Sequence, residues 1–226
     1  MIPNELHPVL EHAKAHVFDV DHTLTRHSTG RRFAQSGYTS GLFPLSYLLQ
    51  LPTFYLRYRL GRLTTTDISR EIRPLTGRTR GEIQAVVSDA WERYIHADIY
   101  PAAEAYVAAC RQRGARLVLA STSFDILIRP LAIHLGIEHT ISSELEFRDD
   151  VATGWIRRGP CYAEQKERRI RDLLNEHGIT VADTAFYSDS RQDIMTHRVV
   201  GYPVAVHPDR YLLREARRNR WPIIRW

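Results

Sequence analysis

Two carboxylates, Asp19 and Asp21, directly follow a short, mostly apolar run at residues 15–18. Such a run is typical of a buried strand, in which residues two apart point to the same side, so both carboxylates would leave the strand end together. Two like charges that close repel each other unless a cation or a shared proton relieves them. Carboxylate oxygens suit Mg²⁺, so the pair predicts a metal site. A solvated strand end that caps the next segment is the alternative that these residues leave open.

Two later apolar runs also end in polar residues. Ser121 follows the run at 117–120, and Asp189 follows the run at 184–187, with Asp193 four residues further on. Ligands of open α/β sheets bind beyond the carboxyl ends of the strands. A lone serine or aspartate at such a place is usually a helix N-cap. Three polar strand ends at one edge of the sheet favour a shared functional site instead.

Lys166 is a further candidate because of its residue type. Of the 31 basic residues in the chain, only Lys14 and Lys166 are lysines. Lys166 falls in the first turn of a predicted helix over residues 163–177, where the helix dipole mildly disfavours a cation. A ligand for an anion at the sheet edge would explain its place, and a solvated surface lysine is the alternative.

The elements that must position these residues alternate in the second half of the chain. Strands alternating with helices predict a parallel α/β sheet. The predicted strands are 117–120, 137–141, 184–187 and 204–206, with a β-hairpin at 144–147 and 151–156. Residues 26–111 carry helical patterns, the clearest of which predicts a helix over residues 79–96, and no convincing strand. The sequence therefore predicts a catalytic core of residues 1–25 and 112–226, with a helical domain of residues 26–111 inserted after the first strand.

One segment of this insert, residues 44–60, is apolar around almost the whole circumference of a helix. Such a helix is normally buried or lies in a membrane surface. We expect it to be buried or to pack over the active site, and contact with a membrane surface is the alternative.

Composition excludes several classes of protein. The chain has 226 residues, 43% of them hydrophobic, and a formal net charge of +5, so wholesale disorder is excluded and anionic partners are favoured. The arginines are scattered through helical patterns, which argues against a nucleic-acid partner. The two cysteines fit neither a metal site nor a disulfide framework. No apolar run is long enough to span a bilayer, and residues 1–14 lack the apolar core of a signal peptide. These features predict a cytoplasmic protein for which no membrane contact is expected.

Together, the candidate residues resemble the four ordered motifs of the haloacid dehalogenase (HAD) superfamily of aspartyl phosphotransferases. The matching residues are Asp19-x-Asp21-x-Thr23, Ser121, Lys166 and Asp189-x-x-x-Asp193. The segments 117–125, 153–154, 186–190 and 200–209 are similar to the phosphoserine-phosphatase-like branch, subfamily IB. The resemblance implies a three-layer, Rossmann-like parallel sheet with an α-helical type-1 cap inserted after the first strand.

The resemblance also implies a role for each motif. Asp19 would attack phosphorus and form an aspartyl-phosphate, and Asp21 would be the general acid and base. The phosphoryl oxygens would be bound by Ser121, Thr122 and Lys166. Mg²⁺ would be held by Asp19, the backbone carbonyl of Asp21, and Asp189, with Asp193 assisting through water or by holding Lys166.

The substrate is where the sequence departs from this pattern. Phosphoserine phosphatases place a glutamate nine residues after the nucleophile, where Ser28 stands here. The sequence therefore predicts a Mg²⁺-dependent phosphatase for a small phosphorylated metabolite, without support for phosphoserine. Arg31 and Arg57 of the insert are candidate substrate contacts. The alternatives are a phospholipid head-group phosphatase at the membrane surface and a non-catalytic phosphate-binding module, which four intact motifs disfavour.

Overall fold

A seven-stranded sheet organises the molecule in the computed structural model, which describes residues 3–59, 62 and 64–226, apart from the side chains of Tyr58, Arg59, Thr65 and Glu71. The strands are β1 (Ala15–Phe18), β2 (Arg116–Phe124), β3 (His139–Arg148), β4 (Val151–Arg157), β5 (Thr184–Ser188), β6 (Tyr202–Val206) and β7 (Ile223–Ile224). Their order is β4-β3-β2-β1-β5-β6-β7. All neighbouring pairs are parallel except β3 and β4. This sheet confirms the predicted α/β class.

The central strand, β1, is buried along its whole length. Phe18 is in register with Leu119 of β2 on one side and with Tyr187 of β5 on the other. The residues that follow these three positions therefore lie at one edge of the sheet, as the polar strand ends predicted.

Eleven α-helical segments are described. They are α1 (His7–His12), α2 (Thr29–Thr39), α3 (Leu45–Arg59), α4 (Thr65–Glu71), α5 (Arg80–Ala90), α6 (His96–Asp98), α7 (Pro101–Gln112), α8 (Asp125–Leu135), α9 (Glu164–Glu176), α10 (Ile194–Val199) and α11 (Arg210–Asn219). None of the described helices is both long enough and apolar enough to cross a membrane.

Local sequence signals start several of these helices. Capping boxes pair Thr64 with Asp67 before α4 and Thr79 with Glu82 before α5, so each side chain bonds a backbone N–H of the other residue. Pro101 occupies the first turn of α7, where its missing N–H costs nothing. These starts were predictable because the caps are local.

Helices cover both faces of the sheet. Residues of α1, α7 and α8 pack with Phe18, Leu119 and Tyr187 on one face. Residues of α9 pack with Val17 and Phe186 on the other, and α11 packs beside them against β6. Alternate residues of β1 thus point into different helix layers, which is the predicted three-layer arrangement.

A second large apolar cluster lies away from the central strands of the sheet. It joins α2, α4 and α5 with parts of α3, with α8 and with the β3–β4 hairpin. The helix α7, which we assigned to the insert, packs on the sheet instead, since Ala103, Tyr106 and Val107 belong to the first cluster. We therefore propose that the insert ends at about residue 100 rather than at 111.

Three predicted elements differ from the structure. The strands predicted at 137–141 and 144–147 are one strand, β3, which pairs first with β2 and then continues into the hairpin with β4. β2 extends to Phe124, so Ser121 lies within a strand rather than after one. The helix predicted over 79–96 contains a π-helical turn, Trp91–Ile95, between α5 and α6. In each case, strand pairing or helix packing changed the length or the type of an element whose bounds had been predicted from the local sequence. The predicted helix at 44–60 corresponds to α3. The last residue of that prediction, Leu60, lies outside the described residues.

Candidate active site

Asp19 lies at the carboxyl end of β1 and is buried. Its backbone N–H donates to the carbonyl of Tyr187 (2.9 Å), which continues the pairing with β5. Its Oδ1 accepts a hydrogen bond from Lys166 Nζ (2.7 Å), and its Oδ2 accepts one from Thr23 Oγ1 (3.3 Å). The carboxylate of Asp19 is therefore fixed by one ammonium and one hydroxyl.

Lys166 reaches this edge from the first turn of α9, and its side chain is among the most buried in the protein. Its Nζ lies 3.0 Å from Asp193 Oδ1 as well as beside Asp19. Burial alone would lower the pKa of Lys166, but the charges of Asp19 and Asp193 outweigh it and raise that pKa above its ordinary value. Lys166 is thus a permanent cation between two carboxylates, and the solvated surface lysine is excluded.

Three buried carboxyl groups lie at this edge of the sheet: Asp19, Asp189 and Asp193. Two of them, Asp19 and Asp193, share the ammonium of Lys166. Burial raises the pKa of Asp19 to about 7, with Lys166 opposing the rise and Asp193 and Asp21 adding to it. A divalent cation would balance this charge, so the donor set fits Mg²⁺.

The number of side-chain ligands is also consistent with magnesium. Among the described residues, no three His, Cys, Asp or Glu side chains are grouped around one metal position. Magnesium does not require such a group, because proteins usually hold it through one or two carboxylates while it keeps several waters. Asp19 and Asp189 follow neighbouring parallel strands and would supply two such carboxylates.

Asp21 is held by the start of α2. Its Oδ1 accepts hydrogen bonds from the backbone N–H of Thr29 (2.8 Å) and from Thr29 Oγ1 (2.7 Å). Its Oδ2 accepts one from Ser28 Oγ (2.9 Å) and a long one from Ser123 Oγ (3.5 Å). The helix N-terminus and three hydroxyls therefore orient this carboxylate.

Ser121 and Thr122 lie on β2, beside the residues that follow β1. Ser121 is buried, and its Oγ accepts a hydrogen bond from the backbone N–H of Ser123 (3.1 Å). The carbonyl of Thr122 accepts a hydrogen bond from Ser143 Oγ (2.7 Å), which ties β2 to β3. Ser123 thus links the predicted phosphate-binding segment to Asp21.

The three candidate substrate residues of the insert have different surroundings. Ser28 caps α2 and donates to Asp21, so its hydroxyl supports a carboxylate. The side chain of Arg57 pairs with Asp67 at the start of α4 (3.0 Å). Arg31 is exposed, and its backbone N–H donates to Ser28 Oγ (3.4 Å). Of these three residues, Ser28 is the one for which the structure shows a contact with a carboxylate of the candidate site, that of Asp21.

Sequence reasoning missed contacts that fix the loop after β1. His22 has a positive φ of 60°, its Nδ1 bonds the carbonyl of Arg26 (3.1 Å), and its Nε2 contacts the hydroxyl of Tyr55 on α3. Trp226 Nε1 donates to the carbonyl of Thr23 (2.7 Å). These partners are 33 and 203 residues apart in sequence, so no local pattern could have paired them.

Comparison with known proteins identifies the family. The family model for haloacid dehalogenase-like hydrolases matches residues 16–197, which include all of the carboxylates described above. The chain belongs to the haloacid dehalogenase-like hydrolase family. This result confirms the family that the four motifs had indicated.

Three individual proteins extend the comparison. A histidinol-phosphatase of Neisseria meningitidis serogroup C is 29% identical over 214 residues, covering 92% of this chain and 96% of its own. The phosphoserine phosphatase SerB1 of Mycobacterium tuberculosis H37Rv is 25% identical over 224 residues, covering 96% of this chain and 72% of its own. A protein of unknown function from Bordetella pertussis Tohama I has a crystal structure that superimposes with a TM-score of 0.84, at 25% identity, over 93% of this chain and 97% of that one. The chain is thus a phosphatase of the phosphoserine-phosphatase-like branch, as predicted.

Proposed function

We propose that the protein is a Mg²⁺-dependent phosphatase that hydrolyses a small organic phosphate monoester through an aspartyl-phosphate intermediate. The observation that carries this proposal is the pairing of Asp19 with Lys166, beside an Asp21 that hydroxyls hold in place. A nucleophile next to a fixed acid and a fixed cation is the arrangement that two-step phosphoryl transfer needs.

In the first step, a carboxylate oxygen of Asp19 attacks phosphorus, and the bond between phosphorus and the ester oxygen breaks. Asp21 gives its proton to the departing alkoxide, which leaves as an alcohol. In the second step, Asp21 takes a proton from a water molecule whose oxygen attacks phosphorus. The bond between phosphorus and the Asp19 oxygen breaks, so inorganic phosphate leaves and the Asp19 carboxylate is regenerated.

The remaining residues bind charge. Lys166 and the hydroxyls of Ser121 and Thr122 would hold the phosphoryl oxygens, and Asp193 would keep Lys166 in position. Mg²⁺ would be held by Asp19, Asp189 and the backbone carbonyl of Asp21, and when bound it would supply positive charge to the phosphoryl group.

The substrate class is narrowed by Ser28. This hydroxyl donates to Asp21 and caps α2, so position 28 offers no negative charge for a substrate ammonium group. Phosphoserine is therefore a poor candidate, although one relative is named a phosphoserine phosphatase. The histidinol-phosphatase relative makes histidinol phosphate a compound to test first.

Phosphate release from a panel of phosphorylated metabolites tests the proposal, with histidinol phosphate, phosphoserine and a phospholipid phosphate included. We expect release that needs Mg²⁺, stops with EDTA, and falls by at least about a thousandfold in Asp19→Asn, since that variant lacks the nucleophile. The exposed Asp172→Asn on α9 is the matched control and should keep full activity. Phosphate binding without release from any compound would favour the non-catalytic module, and full activity of Asp19→Asn would exclude the proposed nucleophile.

A further inference from the structure

Helix α3 has one side against the protein and an apolar side toward solvent. Tyr47, Leu48, Leu51 and Phe54 pack against the second apolar cluster. The opposite side carries Leu45, Leu49 and Leu56, whose exposed fractions are 52%, 70% and 59%.

These three leucines form a stripe together with the exposed Pro52. The spacing 45, 49, 52 and 56 places them on one face of a helix, over a length of about 16 Å. We call Leu45, Leu49, Pro52 and Leu56 the outer stripe. Exposed aliphatic side chains grouped in this way mark an interaction surface rather than ordinary scattered exposure.

The charge of the segment that carries the outer stripe indicates the kind of partner. Between Asp21 and Asp67 the chain has no acidic residue, while it has six arginines: Arg26, Arg31, Arg32, Arg57, Arg59 and Arg62. Arg32 pairs with Asp98 and Arg57 with Asp67, whereas Arg26, Arg31 and Arg62 are exposed. An anionic partner fits this exposed positive charge, whereas a second copy of the chain would bring like charges together.

We propose that the outer stripe docks on the surface of an anionic lipid bilayer, with its leucines in the boundary between head groups and acyl chains and the arginines near the head-group phosphates. Binding at a bilayer surface depends on buried apolar area and on attraction to anionic lipids; the exposed leucines would supply the first and the exposed arginines of this segment the second. Leucines offer acyl chains good contact, whereas the residues that dominate binding in protein–protein interfaces are mostly Trp, Tyr and Arg, with Leu under-represented.

The side of α3 that packs on the protein also contacts the loop after β1, which contains Asp21 and His22. Tyr55 lies on the helix and contacts His22, which stands between Asp21 and Thr23. Docking of α3 on a bilayer would therefore involve a helix that contacts the loop after β1, which carries Asp21. The inference goes beyond the proposed phosphatase function and does not depend on the substrate.

Co-sedimentation with vesicles tests the proposal. Vesicles of phosphatidylcholine with phosphatidylglycerol should bind the full chain, and vesicles of phosphatidylcholine alone should bind it much less, with the difference shrinking at high salt. The triple variant Leu45→Gln, Leu49→Gln, Leu56→Gln should lower the bound-to-free ratio at least about tenfold, because it removes the inserted side chains. Ile133→Gln on α8 is the matched control, since Ile133 is 72% exposed and lies outside the outer stripe.

The possible outcomes separate this inference from the proposed function. Hydrolysis of a soluble phosphate monoester should be unchanged in the triple variant, and Asp19→Asn should bind vesicles as the natural chain does. Absence of binding to anionic vesicles, or equal binding by the triple variant, would overturn the proposal. A leucine-dependent dimer in analytical ultracentrifugation, without vesicles, would assign the outer stripe to a second copy and would overturn it as well.

Discussion

Lys166→Met tests whether the buried ammonium of Lys166 stabilises the group formed by Asp19, Asp189 and Asp193, which we call the catalytic edge. In the natural chain, Lys166 Nζ lies 2.7 Å from Asp19 and 3.0 Å from Asp193, with all three side chains buried. Removing one partner of a buried ion pair leaves uncompensated charge and costs about 3–5 kcal/mol of unfolding free energy. The only other lysine, Lys14, pairs with Asp183 at the surface with 67% of its side chain exposed, so Lys14→Met should cost about 0–1 kcal/mol.

The cost of Lys166→Met should depend on pH with a defined sign. Burial raises the pKa of Asp19 to about 7 even with Lys166 opposing, so without the lysine that pKa rises further. A carboxyl whose folded pKa exceeds its unfolded pKa of about 4 binds more protons in the folded state between those two values. The loss of unfolding free energy in Lys166→Met, measured against the natural chain at the same pH, should therefore shrink as the pH falls from 8 toward 5, since protonation of Asp19 removes the unpaired charge.

Urea unfolding of the two lysine variants, followed by circular dichroism in EDTA at pH 8 and pH 5, measures both effects. Phosphatase activity with Mg²⁺ should be lost in Lys166→Met and kept in Lys14→Met. If both variants lose less than about 1 kcal/mol at pH 8, Lys166 is not the counter-charge that we infer, and the assignment of the edge to phosphate and metal loses its electrostatic basis.

Two further predictions concern the buried histidines and the positioning of Asp21. Burial lowers the pKa of His16 to about 4 and that of His197 to about 3. Below pH 6.5 these histidines are therefore protonated in the unfolded chain and remain neutral in the folded chain. Each histidine should therefore lower the unfolding free energy by about 2 kcal/mol between pH 7 and pH 5. Urea unfolding of Asp19→Asn measures this loss, because that variant lacks the carboxyl whose protonation changes stability in the opposite direction. An unfolding free energy that does not change with pH would contradict the burial of neutral imidazole rings. Thr29→Val removes the hydroxyl that bonds Asp21 and should lower kcat about tenfold with little change in KM. The control, Thr39→Val at the other end of α2, should change neither constant. A rise in KM alone would assign Thr29 to substrate binding instead.

The core of the catalytic edge could be predicted from the sequence because its parts are local. Asp19 and Asp189 each follow an apolar strand, and parallel strands bring their carboxyl ends to one edge. The residue type of Lys166 marked it in an arginine-rich chain, and the structure places it between two carboxylates. Family, fold class and reaction type followed from these few positions.

The supports of the edge could not be predicted, because they depend on packing. Ser28 looked like a substrate position by analogy, yet its place at the start of α2 turns its hydroxyl toward Asp21. The strand β3 looked like two strands because its outer half pairs with a different neighbour from its inner half. Pairing partners, rather than local propensity, decided both cases.

Helix α3 shows the same limit at the level of function. Its residues are apolar around the circumference, so the sequence could favour burial over membrane contact but could not divide the helix into sides. In the structure the two sides of α3 differ: Leu51 and Phe54 pack against the insert, and Leu49 is exposed to solvent. Exposed aliphatic residues grouped on a helix whose other side is packed mark an interaction surface, and the proposal above assigns that surface to an anionic bilayer. The contact between Tyr55 and His22 would then link bilayer docking to the loop that carries Asp21.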